Sequence, residues 1–155
     1  MSETPTILYK RATFVTRLPV THRYAPSHCW LAPTAEGLWR VGFTKFALRM
    51  LGELVDVQFD RADGAAIQPG DVLGTIEGFK AVSDLFCVGT GIFRGGNPVL
   101  RTDLEVLIRE HYSAGWLYQF EGQPDPRCLD VHGYQGLLDV TIDRILAKQQ
   151  AEETP

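Results

Sequence analysis

Lysine is scarce in this chain. Of its 15 basic residues only Lys10, Lys45, Lys80 and Lys148 are lysines, and the others are arginines. A guanidinium stays charged and resists acylation, whereas an amine can be acylated, so the place of each lysine carries information. Cysteine is scarce too. Cys29, Cys87 and Cys128 are odd in number, far apart and free of any C-x-x-C spacing, which argues against a disulfide framework. His22, His28, His111 and His132 are scattered singly without an H-x-x-x-H pair, so a structural metal site is not expected. Excess positive charge is absent: the formal net charge is -4. Nucleic acid and anionic membrane are therefore poor partners. No run approaches the ~18 apolar residues of a membrane span, and MSETPTILYK lacks the apolar centre of a signal peptide. The expected location is the cytoplasm.

What remains is an ordinary globular composition. Hydrophobic residues make up 45% and charged residues 22% of 155 residues, enough for one packed domain. The polar segment 1–8 and the tail 150–155 are expected to be frayed or disordered, leaving a single domain over 9–149. Residues 54–59, 72–79, 81–86 and 116–120 read as strands. The clusters at 63–71, 89–91 and 95–98 read as turns. Residues 44–51, 102–110 and 136–149 read as helices, from Thr44 and Gly52 as caps, the capping-box spacing at Thr102 and Glu105, and the stripe Leu138, Ile142, Ile145 and Leu146. Short strands with glycine-rich turns favour a β-sandwich or small barrel. The fold class is mainly β (α+β), with short helices and a C-terminal helix.

The most informative stretch is GDVLGTIEGFKAVSDLFCVGTG, residues 70–91. A strand through Val72, Leu73, Thr75 and Ile76 meets Gly78-Phe79-Lys80-Ala81 and returns through Val82 and Leu85. Lys80 then stands at an exposed hairpin tip, near Glu77 and Asp84. Taken alone, such a lysine is most simply a solubilising surface residue. Trp30, Trp39 and Trp116 read as core or rim residues. His28 reads as a hydrogen-bonded structural histidine, because no nucleophile partners it. Gly95-Gly96 lacks the strand–helix context of a phosphate loop.

The surroundings of Lys80 add more. Glu77, Lys80-Ala81, Ser83-Asp84 and Thr90-Gly91 resemble the lipoyl-lysine segment of the glycine cleavage system H protein family, V-E-S-V-K-A-x-S-D followed by Ser-Gly. Asn97 matches a family asparagine. Ser27-His28-Cys29-Trp30 is similar to S-H-E-W. Residues 41–47 and 51–55 are similar to V-G-I-T-x-Y-A and L-G-D-I-V, and residues 112–116 to Y-G-x-G-W. The resemblance covers roughly residues 24–120, in order. It implies a barrel-sandwich hybrid, lipoyl-domain-like fold. It also implies a carrier that is not itself an enzyme, with lipoate attached covalently by an amide to Lys80. Glu77 and Gly91 would be recognised by a lipoate ligase or lipoyl transferase. The implied partners are glycine decarboxylase, aminomethyltransferase and dihydrolipoyl dehydrogenase.

The sequence departs from the pattern at Cys29 (family Glu), at Lys45 (often acidic), within 87–90 and at 108–113. These departures bear on partner choice, and the expected partner surface comprises His28, Cys29, Lys45, Asp84 and His111. Two alternatives stay open. One is an H-like lipoate-binding protein carrying sulfur for a heterodisulfide-reductase-like sulfur oxidation complex. The other is an unmodified protein-binding scaffold. Cys87, close to the hairpin, is by default a buried small hydrophobe, with a redox role beside the dithiolane as the rival. Residues 9–23, with Phe14, Val15, Leu18 and Val20, precede the family's usual start and read as an added strand.

Overall fold

The computed structural model describes residues 4–153. β1 (Thr6–Arg11) and β2 (Phe14–Pro19) form an antiparallel hairpin. A six-stranded sheet runs in the order β3-β4-β5-β11-β10-β7. Its strands are β3 (Arg23–Tyr24), β4 (Cys29–Ala35), β5 (Leu38–Phe43), β7 (Ala66–Ile67), β10 (Gly89–Gly96) and β11 (Tyr118–Pro124). A three-stranded sheet joins β6 (Leu54–Phe59), β8 (Val72–Gly78) and β9 (Val82–Phe86), with β8 in the middle. α1 (Lys45–Leu51) links β5 to β6, α2 (Val106–Arg109) follows a 3₁₀ turn at Pro98–Arg101, and α3 (Val131–Glu153) comes last. The architecture is the mainly β barrel-sandwich hybrid with a C-terminal helix.

Two apolar clusters explain it. The first lies between the sheets. Leu31, Val41, Phe93, Tyr118 and Phe120 of the larger sheet meet Leu54, Leu73, Ile76 and Leu85 of the smaller one. The second lies under α3. Alternation along β2 turns Phe14, Thr16 and Leu18 inward. Phe14 and Leu18 pack with Tyr24, Trp30 and Phe46 against Val131, Tyr134, Leu138 and Ile142. The spacing of those four helical residues is one stripe of an α-helix. Asp130 starts α3 by accepting the Gly133 amide at 2.8 Å.

Several local expectations change. The frayed segment 1–8 is ordered from Thr6, where β1 pairs with β2, while residues 1–3 lie outside the described residues. The added strand at 9–23 belongs to a hairpin whose turn, at residues 12–13, has Ala12 at φ +53. Helix α3 begins at Val131 instead of 136 and continues through 150–153 of the expected tail. Gly133 and Gly136 weaken the sequence signal there, each by ~1 kcal/mol relative to Ala. Burial of Val131 and Tyr134 outweighs that, at ~1.5–3 kcal/mol for each large apolar side chain. Residues 102–110 hold only the short α2. Thr102 ends the 3₁₀ turn, because Asn97 caps that turn by accepting the Val99 amide. The expected turn at 89–91 is the start of β10.

Candidate functional site

The β8–β9 hairpin places Lys80 at its apex. Phe79 and Lys80 form the turn, and the Gly78 amide donates to the Ala81 carbonyl across it at 2.8 Å. The apex is also clamped from outside. The Phe79 amide donates to Glu53 O at 2.9 Å and the Lys80 amide to Leu51 O at 3.0 Å. Both acceptors lie where α1 ends. Gly52 closes that helix at φ +75, with its amide on Leu48 O. The approach is so close that a Cβ at Gly78 would run into the Leu51 carbonyl. The backbone under Lys80 is therefore held on two sides while its side chain is exposed. Lys80 Nζ donates to Arg49 O at 3.4 Å. Among the described residues it enters no ion pair.

The neighbours of Lys80 are chemically uneven. Glu77 is exposed on β8, paired across the ladder with Val82 of β9. Phe79 is 75% exposed and Val82 69%, an apolar collar that sequence patterning did not single out. Gly91 is not at this surface. It sits within β10, between Gly122 of β11 and Ile67 of β7, at φ +153. A Cβ there would strike the Glu121 carbonyl. Its position gives it a packing role in the sheet.

The expected partner surface divides. Cys29 is removed from it: the residue is buried in the inter-sheet core, and burial pushes its thiol up to about 12. Cys29 and the exposed Asp84 both border a cavity of only about 80 Å³ with Ser27 and Phe86. His28 is half-buried, at φ +70, and its Nδ1 lies 2.9 Å from the Tyr134 hydroxyl. Thr44 Oγ1 donates to His28 O and lies 2.8 Å from the same hydroxyl. That chain assigns the Tyr134 proton to Thr44 and a proton to His28 Nδ1. Burial lowers His28 to about 4, so the ring is a neutral structural donor. Lys45 is exposed, and its ammonium donates to Val15 O at 2.7 Å. His111 is half-buried against the Tyr112 ring, with Nδ1 3.1 Å from Ile108 O. Burial first, and Lys45 to a lesser degree, hold it below its usual range.

The remaining thiols are also withdrawn. Cys87 is buried, donates its S–H to Gly89 O at 2.9 Å, and is pushed up to about 11 by burial. Cys128 is half-buried and likewise raised to about 11 by burial. Thiolate is the form that attacks disulfides, so these cysteines are poor exchange partners. The three tryptophans are structural: Trp30 donates to His111 O at 2.6 Å, Trp39 packs against the inter-sheet core, and Trp116 lies under the Arg40 guanidinium at 4.8 Å. Among the described residues no His/Cys/Asp/Glu group gathers as metal ligands, and no helix is long and apolar enough to cross a membrane.

A further feature was not visible in the sequence. Lys80 lines an open groove of about 490 Å³ between the β1–β2 turn, α1 and α3. Three distant chain segments build it, so local patterning carries no signal for it.

Comparison with known proteins gives a consistent result. The family model for Glycine cleavage H-protein matches residues 22–131. The glycine cleavage system H protein of Kocuria rhizophila is 37% identical over 129 residues, spanning 81% of this chain and 100% of that one. Its counterpart in Shigella dysenteriae serotype 1 is 30% identical over 128 residues, spanning 81% and 98%. The crystal structure of a glycine cleavage system H protein from Mycobacterium marinum superposes with a TM-score of 0.69. It is 31% identical and covers 77% of this chain and 97% of its own. The family model's span leaves out the β1–β2 hairpin and all of α3 after Val131.

Proposed function

The chain belongs to the glycine cleavage H-protein family, and on that premise we propose that it is a lipoyl carrier whose acylated lysine is Lys80. The observation that carries this reading is the hairpin apex. Lys80 is exposed on a turn whose backbone is fixed by Leu51 and Glu53. An approaching ligase needs a protruding amine in a defined place, and a fixed turn limits the ordering cost of recognition. Glu77, exposed on the same hairpin, is the side chain offered to that ligase. Gly91 contributes by shaping the sheet beneath.

Lipoate in amide linkage supplies a cyclic disulfide that takes up two electrons and carries an aminomethyl load on sulfur. The protein's own residues give that group a base and a protected setting. Lys80 loses its charge on acylation. The amide that results keeps one N–H, which Arg49 O is placed to accept. Phe79 and Val82 offer apolar surface to the mouths of partner active sites. Cys29, Cys87 and Cys128 stay as thiols and do not compete for the arm's disulfide. The partners on this reading are glycine decarboxylase, aminomethyltransferase and dihydrolipoyl dehydrogenase, with a lipoate ligase or lipoyl transferase to load the arm. The chain itself is a carrier and not an enzyme, and it works in the cytoplasm.

No observation favours sulfur as the cargo. Cys29, one of the departures from the family pattern, is an interior substitution. The carrier reading is tested by incubating the protein with lipoate, ATP and lipoate ligase. A gain of about 188 Da, the mass of one lipoyl amide, is expected on Lys80 and is lost in Lys80→Arg. Failure to gain it would leave the unmodified scaffold as the better account, and gain at Lys10, Lys45 or Lys148 instead would overturn Lys80 as the attachment site.

A further inference from the structure

We propose that the outward face of the β1–β2 hairpin, with the exposed side of α1, docks an acidic protein surface, that of an enzyme which serves Lys80. This rests on the reading of Lys80 as the lipoylated residue. The first argument is the distribution of charge. β1, β2 and α1 hold five of the chain's 15 basic residues and none of its 19 acidic ones. The remainder carries 10 basic residues against 19 acidic, so the net charge of -4 conceals a cationic region on an anionic molecule. Arg11 is committed to Asp139 and Asp143 of α3. Lys10, Arg17, Lys45 and Arg49 are exposed, and among the described residues they enter no ion pair.

The second argument is arrangement. Strand alternation turns Tyr9, Phe14, Thr16 and Leu18 inward and Leu8, Lys10, Val15 and Arg17 outward. Pairing sets Lys10 opposite Val15 and Arg17 opposite Leu8, so cations and apolar side chains alternate across the face. Leu8 is 57% and Val15 37% exposed. α1 extends the face. The Lys45 ammonium donates to Val15 O at 2.7 Å, and Arg49 reaches Thr13 Oγ1 in the hairpin turn at 3.4 Å. Lys45 and Arg49 are four residues apart and so share one side of the helix. Cations interleaved with apolar contacts fit a protein surface that offers carboxylates in complement. A nucleic acid or an anionic membrane extends past such a face and meets the acidic remainder, which repels it.

The third argument is position. Lys80 Nζ donates to Arg49 O at 3.4 Å and the Lys80 amide to Leu51 O at 3.0 Å, so a protein seated on the hairpin and α1 lies beside the apex. Acylation removes the charge of Lys80 itself and leaves Arg49 and its neighbours to supply the attraction. The hairpin is braced against α3 by the Arg11 ion pairs and by the Tyr9 hydroxyl on Asp139 at 2.7 Å, which limits the ordering cost of docking. It lies outside the family match at residues 22–131, so the face adds a means of partner choice that the family pattern does not carry.

The test uses the full-length lipoylated protein, with loading at Lys80 first established by mass for each variant. KM for the carrier is measured with the glycine decarboxylase, aminomethyltransferase and dihydrolipoyl dehydrogenase of the same organism. With at least one of them, Lys10→Glu combined with Arg17→Glu should raise KM about tenfold at little change in kcat, the lower end of the ~10–10³ that charge steering gives to association rates. The difference should shrink as salt rises above about 0.1 M, where screening falls below ~10 Å. Arg61→Glu combined with Arg101→Glu makes the same change of net charge at the hollow near Phe59, away from Lys80, and should leave KM unchanged. In the wild-type protein the amide signals of residues 8–17 should shift when that enzyme is added, a measurement that needs no variant. Unshifted amides and equal KM values with all three enzymes would overturn the docking face and leave the carrier reading intact. Shifts produced by phosphatidylserine vesicles or duplex DNA, and by none of the enzymes, would overturn it in favour of a polyanion. Protein that cannot be loaded at Lys80 would remove both readings.

Discussion

Replacing Gly91 by alanine separates two roles that the sequence leaves merged, recognition by a ligase and support of the sheet. Gly91 lies at φ +153 and is paired with Gly122, itself at φ +149. An alanine there must hold a backbone conformation that costs ~1–3 kcal/mol. Its Cβ also meets the Glu121 carbonyl, and crowding of this kind costs ~1–3 kcal/mol more. The strand can relax in part, so a loss of about 2–5 kcal/mol is expected against the ~5–15 kcal/mol of a typical domain. At ~2–4 °C per kcal/mol for a chain of this size, the melting temperature should fall by about 4–20 °C. Calorimetry or circular dichroism reads this directly. Lipoylation should then be assayed well below the variant's transition, where it is folded. A near-native rate is expected there, because Gly91 has no side chain to offer and lies within the sheet. An unchanged melting temperature would refute the packing argument. A destabilised but folded variant that cannot be lipoylated would show that the ligase reads this position itself.

Three further outcomes follow from the geometry. Lys80→Ala should change stability by no more than ~0.5 kcal/mol, as for other exposed substitutions; a large melting shift would make the lysine structural. His28 is lowered to about 4 by burial, below the ~6.5 of an unfolded histidine. Between those values the unfolded state binds the extra proton, so stability should fall as pH drops from about 6.5 towards 4, by up to ~3 kcal/mol. His28→Asn tolerates φ +70 and has an amide to donate to Tyr134, so its stability should be flatter over that window; an unchanged pH slope would count against His28. In native protein at pH 8, a bulky disulfide reagent should leave Cys29 and Cys87 unmodified and react slowly with Cys128, whereas all three should react in denaturant. Rapid modification of Cys87 in native protein would reopen a redox role for it.

Much of the core was legible because its signals are local. β6, β8 and β9 read out as expected, since short apolar runs between glycine and aspartate breaks have few other uses. β11 spans Tyr118–Pro124, where the local pattern reads as a strand at 116–120. α1 was legible from both ends, through the Thr44 cap and Gly52. β4 and β5 were recognisable only as family motifs. Pro33 and the mixture of Trp, Arg and Gly blur their alternation, and strand pairing supplies what local pattern does not. The partner surface was the least legible part. His28 and Cys29 are adjacent in sequence, yet one ring bonds Tyr134 at a distance of 106 residues and the neighbouring thiol enters the core.

The strand-rich class and the β8–β9 hairpin are written in consecutive residues, as is the family spacing on which the proposal for Lys80 rests. The sequence does not determine which neighbours of Lys80 face solvent, or what lies beside it. Tertiary structure decided that Gly91 braces a sheet, that Cys29 is interior, and that the first and last segments meet around the lysine. Each depends on contacts between distant residues, such as Arg11 with Asp143 across 132 positions. Such contacts form only when burial of two separate apolar faces, on the hairpin and on α3, brings these two elements together.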